Sequence, residues 1–307
     1  AIYGARGANG VIMITTKKGE AGDLKVDYNG QFGVQNVHNR LDLLGPQEYM
    51  DGINSLIDAG LGEESERVPG IVDGGTDWQD VIYRENSPLQ KHNLSFSWGN
   101  ESTTYFINLN NTNHDGLVRG TNFERYGARF NLEHSTDRLN IGMNATTSYI
   151  KDEYVPQGWD VNLRGGAVNA AKLWDPTRPI YGESDRSEPT QGNFYTTEFF
   201  DIDNPEAIIT GNDINANRYK TFGSVFGEYF LIPDDLSVKL NLGGQVDTQN
   251  KSVYKDRTTL IGAALGGVAT AYEGAQSNYL IEGTTNYNKT FDNHALTALA
   301  GIPSKDL

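Results

Sequence analysis

Between Gln90 and Asp152 the chain runs through four stretches of alternating hydrophobic and hydrophilic side chains, joined by connections of unequal length. In RLNIGMNATTSY, Leu139, Ile141, Met143, Ala145, Thr147 and Tyr149 share one face, and Arg138, Asn140, Gly142, Asn144, Thr146 and Ser148 share the other. A period of two is that of a strand, and one apolar face against one hydrophilic face is that of a sheet between two solvents. In FERYGARFNLEH the apolar side is Tyr126, Ala128, Phe130 and Leu132, and the polar side is Arg125, Arg129, Asn131 and Glu133. Each run is about ten residues, long enough to cross a bilayer when tilted.

The same reading gives strands at about 24–35, 90–98, 103–113, 123–134, 138–150, 219–231, 236–248 and 277–290, with a ninth from about 294. The connections alternate. Long ones are expected at about 36–89, 151–218 and 249–276, a modest one at 114–122, and tight ones at GNES, STDR, PDD and DN. Short turns at one end and long loops at the other characterise an outer-membrane barrel; a soluble sandwich also alternates but has no reason to keep its long loops together. Tyr28, Phe32, Trp98, Tyr105, Tyr149, Tyr219, Tyr229, Tyr279 and Tyr287 are placed to form interfacial girdles. Within the first long loop, Tyr49, Ile53, Leu56 and Ile57 fall at helical spacing, which predicts a short helix in 45–60.

No apolar run approaches the roughly 18 residues of a membrane-spanning helix. The mean hydropathy of −0.53 does not oppose a membrane barrel, because only alternate residues meet lipid. A formal charge of −15 without clustered Lys and Arg excludes a nucleic-acid partner. The absence of Cys excludes a disulfide framework and thiol chemistry. The chain opens inside what reads as a structured motif, so a segment of a longer protein is expected.

That opening, AIYGARGANGVIMITTKKG, places Gly4, Gly7 and Gly10 in a pattern superficially like a dinucleotide-binding loop, but no strand precedes it and no helix follows. It resembles instead the last plug strand of TonB-dependent receptors of the SusC/RagA family, with Tyr3, Gly4, Arg6, Gly7, Asn9, Gly10 and Lys17 matching the motif. The stretch from LSFSWGNES to NATTSY is similar to the early barrel of that family, and DNPEAI followed by RYKTFGSVFGEYFL to a later segment. HALTALAGIP departs from the family pattern at Ile302-Pro303. The resemblance implies an all-β fold, part of a 22-stranded transmembrane antiparallel β-barrel. The end of a plug domain would occupy 1–22, and the first eight to nine wall strands 23–307. It implies localisation in the outer membrane and TonB-dependent active import of a nutrient. The cargo would be a glycan oligosaccharide, or an oligopeptide in the RagA branch. The partners implied are a SusD-like surface lipoprotein, the TonB-ExbB-ExbD system and the lipid bilayer. A siderophore or vitamin receptor is the alternative within transport. A passive porin or adhesion barrel is the alternative outside it, disfavoured by the plug-like segment.

No nucleophile elbow, phosphate loop or metal-spaced His pair occurs, so no catalytic residue and no enzyme activity are expected, and no cofactor. Arg125 and Arg129 are expected to contact the plug or fill the lumen. Asp201 and Asp203 form a compact but weak candidate for calcium inside an acidic loop that is otherwise a solvated surface. Trp78 in the first long loop and Trp159, Trp174, Tyr181 and Tyr195 in the longest are candidate ligand contacts, since flat aromatic faces stack on sugar rings. Packing of the loops on themselves is the competing role for the same side chains.

Overall fold

The structure, a computed structural model, describes residues 17–156, 166–182, 192–196, 202–292 and 294–302. Nine strands form one antiparallel sheet in strict sequence order: β1 (Gly22–Gln35), β2 (Ser87–Gly99), β3 (Thr103–Asp115), β4 (Asn122–Ser135), β5 (Leu139–Tyr154), β6 (Asn212–Ile232), β7 (Leu236–Lys255), β8 (Val268–Phe291) and β9 (His294–Ile302). All nine strands expected from alternation are present. The expectation for residues 11–16, a plug strand, lies outside the described residues.

The differences lie at the loop ends. β7 runs on to Lys255 and β8 begins at Val268, so the connection expected at 249–276 is 256–267 and contains a short helix, α5 (Leu260–Leu265). Likewise β6 starts at Asn212, and the longest connection is 155–211. Beyond the lipid both faces of a strand meet water, so alternation fades while backbone pairing continues, and sequence periodicity ends the strand too early.

Register converts the alternation into transverse rows. Trp98, Tyr105, Leu132, Met143, Val225, Leu242 and Ile281 lie across one another on seven consecutive strands. The next row on that face is Val26, Phe96, Ile107, Phe130, Ala145, Gly223, Gly244 and Tyr279. Between them, on the opposite face, run Ser97, Phe106, Asn131, Asn144, Ser224 and Gly243. The first face leaves Val26, Tyr28, Leu109, Met143, Val225, Leu240, Leu242, Tyr279 and Ile281 exposed. A soluble surface rarely carries an apolar area so continuous; lipid accounts for it. The opposite face is bound together by amides and hydroxyls: Asn108 Nδ2 donates to Asn93 Oδ1 at 2.7 Å and Asn144 Nδ2 to Ser224 Oγ at 2.6 Å.

Aromatics mark both edges of the apolar band. Tyr126, Tyr149 and Tyr219 share a row at the long-loop end, Tyr149 and Tyr219 having ring centroids 4.7 Å apart, while Leu139 and Tyr229 pair near the turns. From Leu139 to Tyr149 the rise is about 33 Å along the strand, or about 24 Å of membrane thickness at a tilt near 45°. The midplane therefore passes close to Met143 and Ala145, and Ile141 lies nearer the turn-side edge. Met143→Arg is expected to cost about 2–4 kcal/mol of barrel stability, and Ile141→Arg less. Asn144→Arg, on the polar face, should be tolerated. Urea unfolding of the full-length barrel in lipid vesicles checks the order; equal costs at 143 and 144 would reverse the assignment of faces.

Candidate functional site

The tight turns close one end of the sheet, and the long connections meet at the other and pack into a cap. Asn100 Oδ1 closes the first turn by accepting from the N–H groups of Ser102 and Thr103 at 2.9 and 2.8 Å. At the cap end, α1 (Pro46–Asp58) realises the helix expected from spacing. Ile57 faces inward as expected, but Leu56 is exposed. Three further short helices, α2 (Trp78–Ile82), α3 (Ala167–Leu173) and α4 (Pro205–Thr210), enclose a core of Trp78, Val81, Ile82, Val155, Ala170, Trp174, Ile208 and Ile209. The three were not evident from the sequence because five to seven residues are too few to show a helical period.

Trp78 and Trp174 are 2% and 3% exposed and meet edge to face at 6.0 Å. Trp78 Nε1 donates to the Asp175 carbonyl at 3.0 Å. Backbone ties join the first long connection to the longest: Val72 N–H to Thr177 O at 3.0 Å and Thr76 N–H to Pro176 O at 2.8 Å. Gly75, at φ +79°, is needed where they touch, since a Cβ there would lie 2.4 Å from the Pro176 carbonyl oxygen. Arg119, from the β3–β4 connection, clamps Glu206 through two bonds of 2.7 and 2.9 Å and donates to Val81 O. Glu206 is almost wholly enclosed and sits in the first turn of α4, where the helix dipole also favours its charge. Asn204 caps that helix by accepting from Glu206 N–H at 3.0 Å, and Pro205 occupies its first turn.

A cleft of about 520 Å³ opens in this cap between the segments Leu41–Tyr49, Thr76–Gln79 and Ala171–Pro176. Trp78, Trp174 and Tyr49 line it together with Asp42, Asp77 and Lys172. Burial, with a smaller contribution from nearby Asp175, pushes the Tyr49 phenol up to about 12, so it presents a neutral hydroxyl at any physiological pH. Of the aromatics singled out from the sequence, Trp78 and Trp174 reach the cleft and Tyr195 is buried. Tyr181, 52% exposed, packs against Phe194 with ring centroids 5.1 Å apart and the rings tilted by 31°. Trp159 and Asp201 lie outside the described residues. Asp203 Oδ1 accepts from Leu260 N–H at 2.5 Å, and among the described residues no three carboxylate or imidazole groups converge.

Below the cap, residues 17–20 cross the polar face as a strap. Asn131 Nδ2 donates to Lys17 O at 2.6 Å, Lys18 pairs with Glu133 at 2.5 Å, and Glu20 N–H donates to Ser97 Oγ at 3.0 Å. Gly19 lies directly on the wall; a Cβ there would stand 2.5 Å from the backbone nitrogen and oxygen of Tyr105. The chain thus reaches β1 from the lumen side. Arg129 stays on that face, its Nε donating to Thr146 Oγ1 at 3.2 Å. His92, His114 and His134 are each bonded to a wall side chain: Tyr28, Gln35 and Thr103.

A strictly meandering sheet with a lipid-facing side, a wet side and a packed cap at one end is part of the wall of a transmembrane β-barrel. No family model matches the chain. It is 32% identical over 306 residues to TonB-dependent receptor P3 of Formosa agariphila, covering 98% of this chain and 29% of that protein. Over 265 residues it is 32% identical to TonB-dependent receptor SusC of Bacteroides thetaiotaomicron, covering 80% of this chain and 25% of that protein. Its fold matches the RagAB peptide importer in its closed-closed state with a TM-score of 0.75 at 20% identity, over 98% of this chain and 36% of the other. The chain therefore belongs to the SusC/RagA-type TonB-dependent receptors. It spans less than a third of the length of the curated relatives it matches, and these are receptors rather than enzymes.

Two outcomes follow from the geometry. Arg119→Ala leaves the Glu206 carboxylate enclosed without its guanidinium and should destabilise the cap by about 1–3 kcal/mol. Faster hydrogen exchange across α4 with unchanged exchange in β4 and β5 is the readout. Gly19→Val should lift the strap from β3, seen as faster tryptic cleavage after Lys17 and Lys18 in the folded receptor.

Proposed function

We propose that the receptor containing this segment actively imports a neutral oligosaccharide across the outer membrane, driven by TonB, ExbB and ExbD, with a SusD-like lipoprotein covering the cap. The observation that carries the energised reading is the strap: residues 17–20 lie on the lumenal face ahead of the first wall strand, as expected where a plug precedes the barrel. A passive pore has no need of such a segment. The names of the relatives support TonB coupling, and the match to RagAB, described as a peptide importer, keeps oligopeptides as the second reading.

Cargo chemistry is argued from the cap. Its cleft combines aromatic and leucine side chains with a few polar groups, the usual make-up of an organic-ligand site. Its charges, Asp42 and Asp77 against Lys172, give an anionic siderophore or phosphate ester no attraction. Leu43 and Leu44 line the cleft, and the exposed ring of Tyr181 gives the cap a further aromatic face for stacking.

The test is uptake of fluorescent neutral oligosaccharides and of oligopeptides by cells making the full-length receptor, with and without TonB. TonB-dependent uptake of at least one oligosaccharide is the expected result; uptake of peptides alone transfers the assignment to the second reading. Tyr181→Ala should weaken oligosaccharide binding by about 0.5–1.5 kcal/mol, roughly two- to ten-fold, with little dependence on salt. Trp78→Ala is a poor probe, because removing so buried an indole costs about 3–5 kcal/mol and would collapse the cap itself.

A further inference from the structure

We infer that the cap cleft takes an oligosaccharide whose hydroxyls are partly O-acylated, with the acyl groups against its leucines and an ester carbonyl on the Tyr49 hydroxyl. This rests on the oligosaccharide reading above and names the class of oligosaccharide. The two tryptophans that floor the cleft are 2% and 3% exposed, so they present little ring face on which a sugar could stack. The accessible apolar surface is aliphatic instead. Leu41, Leu43 and Leu44 from the first long connection and Leu173 from the longest all line the cleft and are 39–59% exposed.

A buried amide fixes the leucine segment in place. Gln79, 7% exposed, accepts from Leu41 N–H at 2.9 Å and donates from Nε2 to Leu41 O at 2.8 Å. Four residues on, Gly45 N–H donates to Glu48 Oε2 at 3.1 Å at the start of α1. Leu43 and Leu44 lie between these two ties, so their side chains are presented in order rather than folded away. Apolar surface held in water in this way is ready to bury the alkyl groups of a ligand, with little ordering left to be done on binding.

The polar groups of the cleft are few, and they suit an ester. Asp77 Oδ1 is already engaged by Gln79 N–H at 2.8 Å as the cap of α2. Tyr49, in the first turn of α1, and Lys172 both line the cleft, and neither side chain has a hydrogen-bond or ion-pair partner among the described residues. A bare sugar carries a hydroxyl on most ring carbons, and each one turned toward leucine loses its water partners without replacement. Acylation exchanges that O–H for a carbonyl that only accepts and an alkyl group that needs no partner. The Tyr49 phenol, neutral at any physiological pH, and the Lys172 ammonium are donors for such carbonyls. O-acylation also leaves the sugar uncharged, in keeping with a cleft whose Asp42, Asp77 and Lys172 give an anion no attraction.

The experiment measures binding of partially O-acetylated xylo- and manno-oligosaccharides to the full-length receptor in detergent by isothermal titration calorimetry, beside the same pools after alkaline deacetylation. Burying one methyl group is worth about four-fold in affinity, so a sugar bearing a pair of acetyl groups in the cleft should bind roughly ten-fold tighter or better than its deacetylated form. Tyr49→Phe should weaken binding of the acetylated pools about five-fold and leave the deacetylated pools unchanged. Leu43→Asn combined with Leu44→Asn, at two exposed positions, should remove most of the difference between the pools, and heat-modifiable migration in gels confirms that each variant has formed its barrel. Equal affinity for acetylated and deacetylated pools, or a preference that survives both variants, overturns the inference and leaves oligosaccharide import standing. Binding of neither pool overturns it as well, and uptake of other neutral oligosaccharides then decides the import reading separately.

Discussion

In a bilayer, backbone N–H and C=O groups have no water to bind, and that constraint organises this molecule. Every wall strand pairs along nearly its whole length, with register shifts only between Gly22 and Lys25 and between Phe230 and Ile232. Once pairing is continuous, the pleat dictates the rest, because each side chain must face lipid or lumen and its neighbour the reverse. β1 and β9 each offer one edge with no partner among the described residues. In lipid such edges are untenable without further strands to close them. This agrees with the chain covering only part of its relatives' length.

The cap obeys the opposite regime. Standing in water, it is held by a small apolar core and by polar ties between connections far apart in sequence. Arg119 and Glu206 are 87 residues apart and Trp78 and Asp175 are 97 apart. Packing both tryptophans inside means that much of the aromatic surface which could have met a ligand serves the cap's own cohesion. What is left for a ligand is the cleft they floor and the exposed Tyr181. The rigid wall beneath fixes where the three connections start, so the entropy of ordering them is partly met by the strand ends.

The wall was legible in the sequence because lipid on one side and water on the other impose a strict period. Legibility stopped where lipid stops. QNKSVYK, residues 249–255, is strand in β7 but reads as loop, since water on both sides relaxes the choice of side chain. Among the cap aromatics the residue type was informative and its use was not: Trp78, Trp174 and Tyr195 are buried through contacts with other loops that no local pattern encodes. The Arg119–Glu206 clamp was missed for the same reason. Of the two carboxylates considered for calcium, Asp203 is engaged with the N-terminus of α5, a partner 57 residues away.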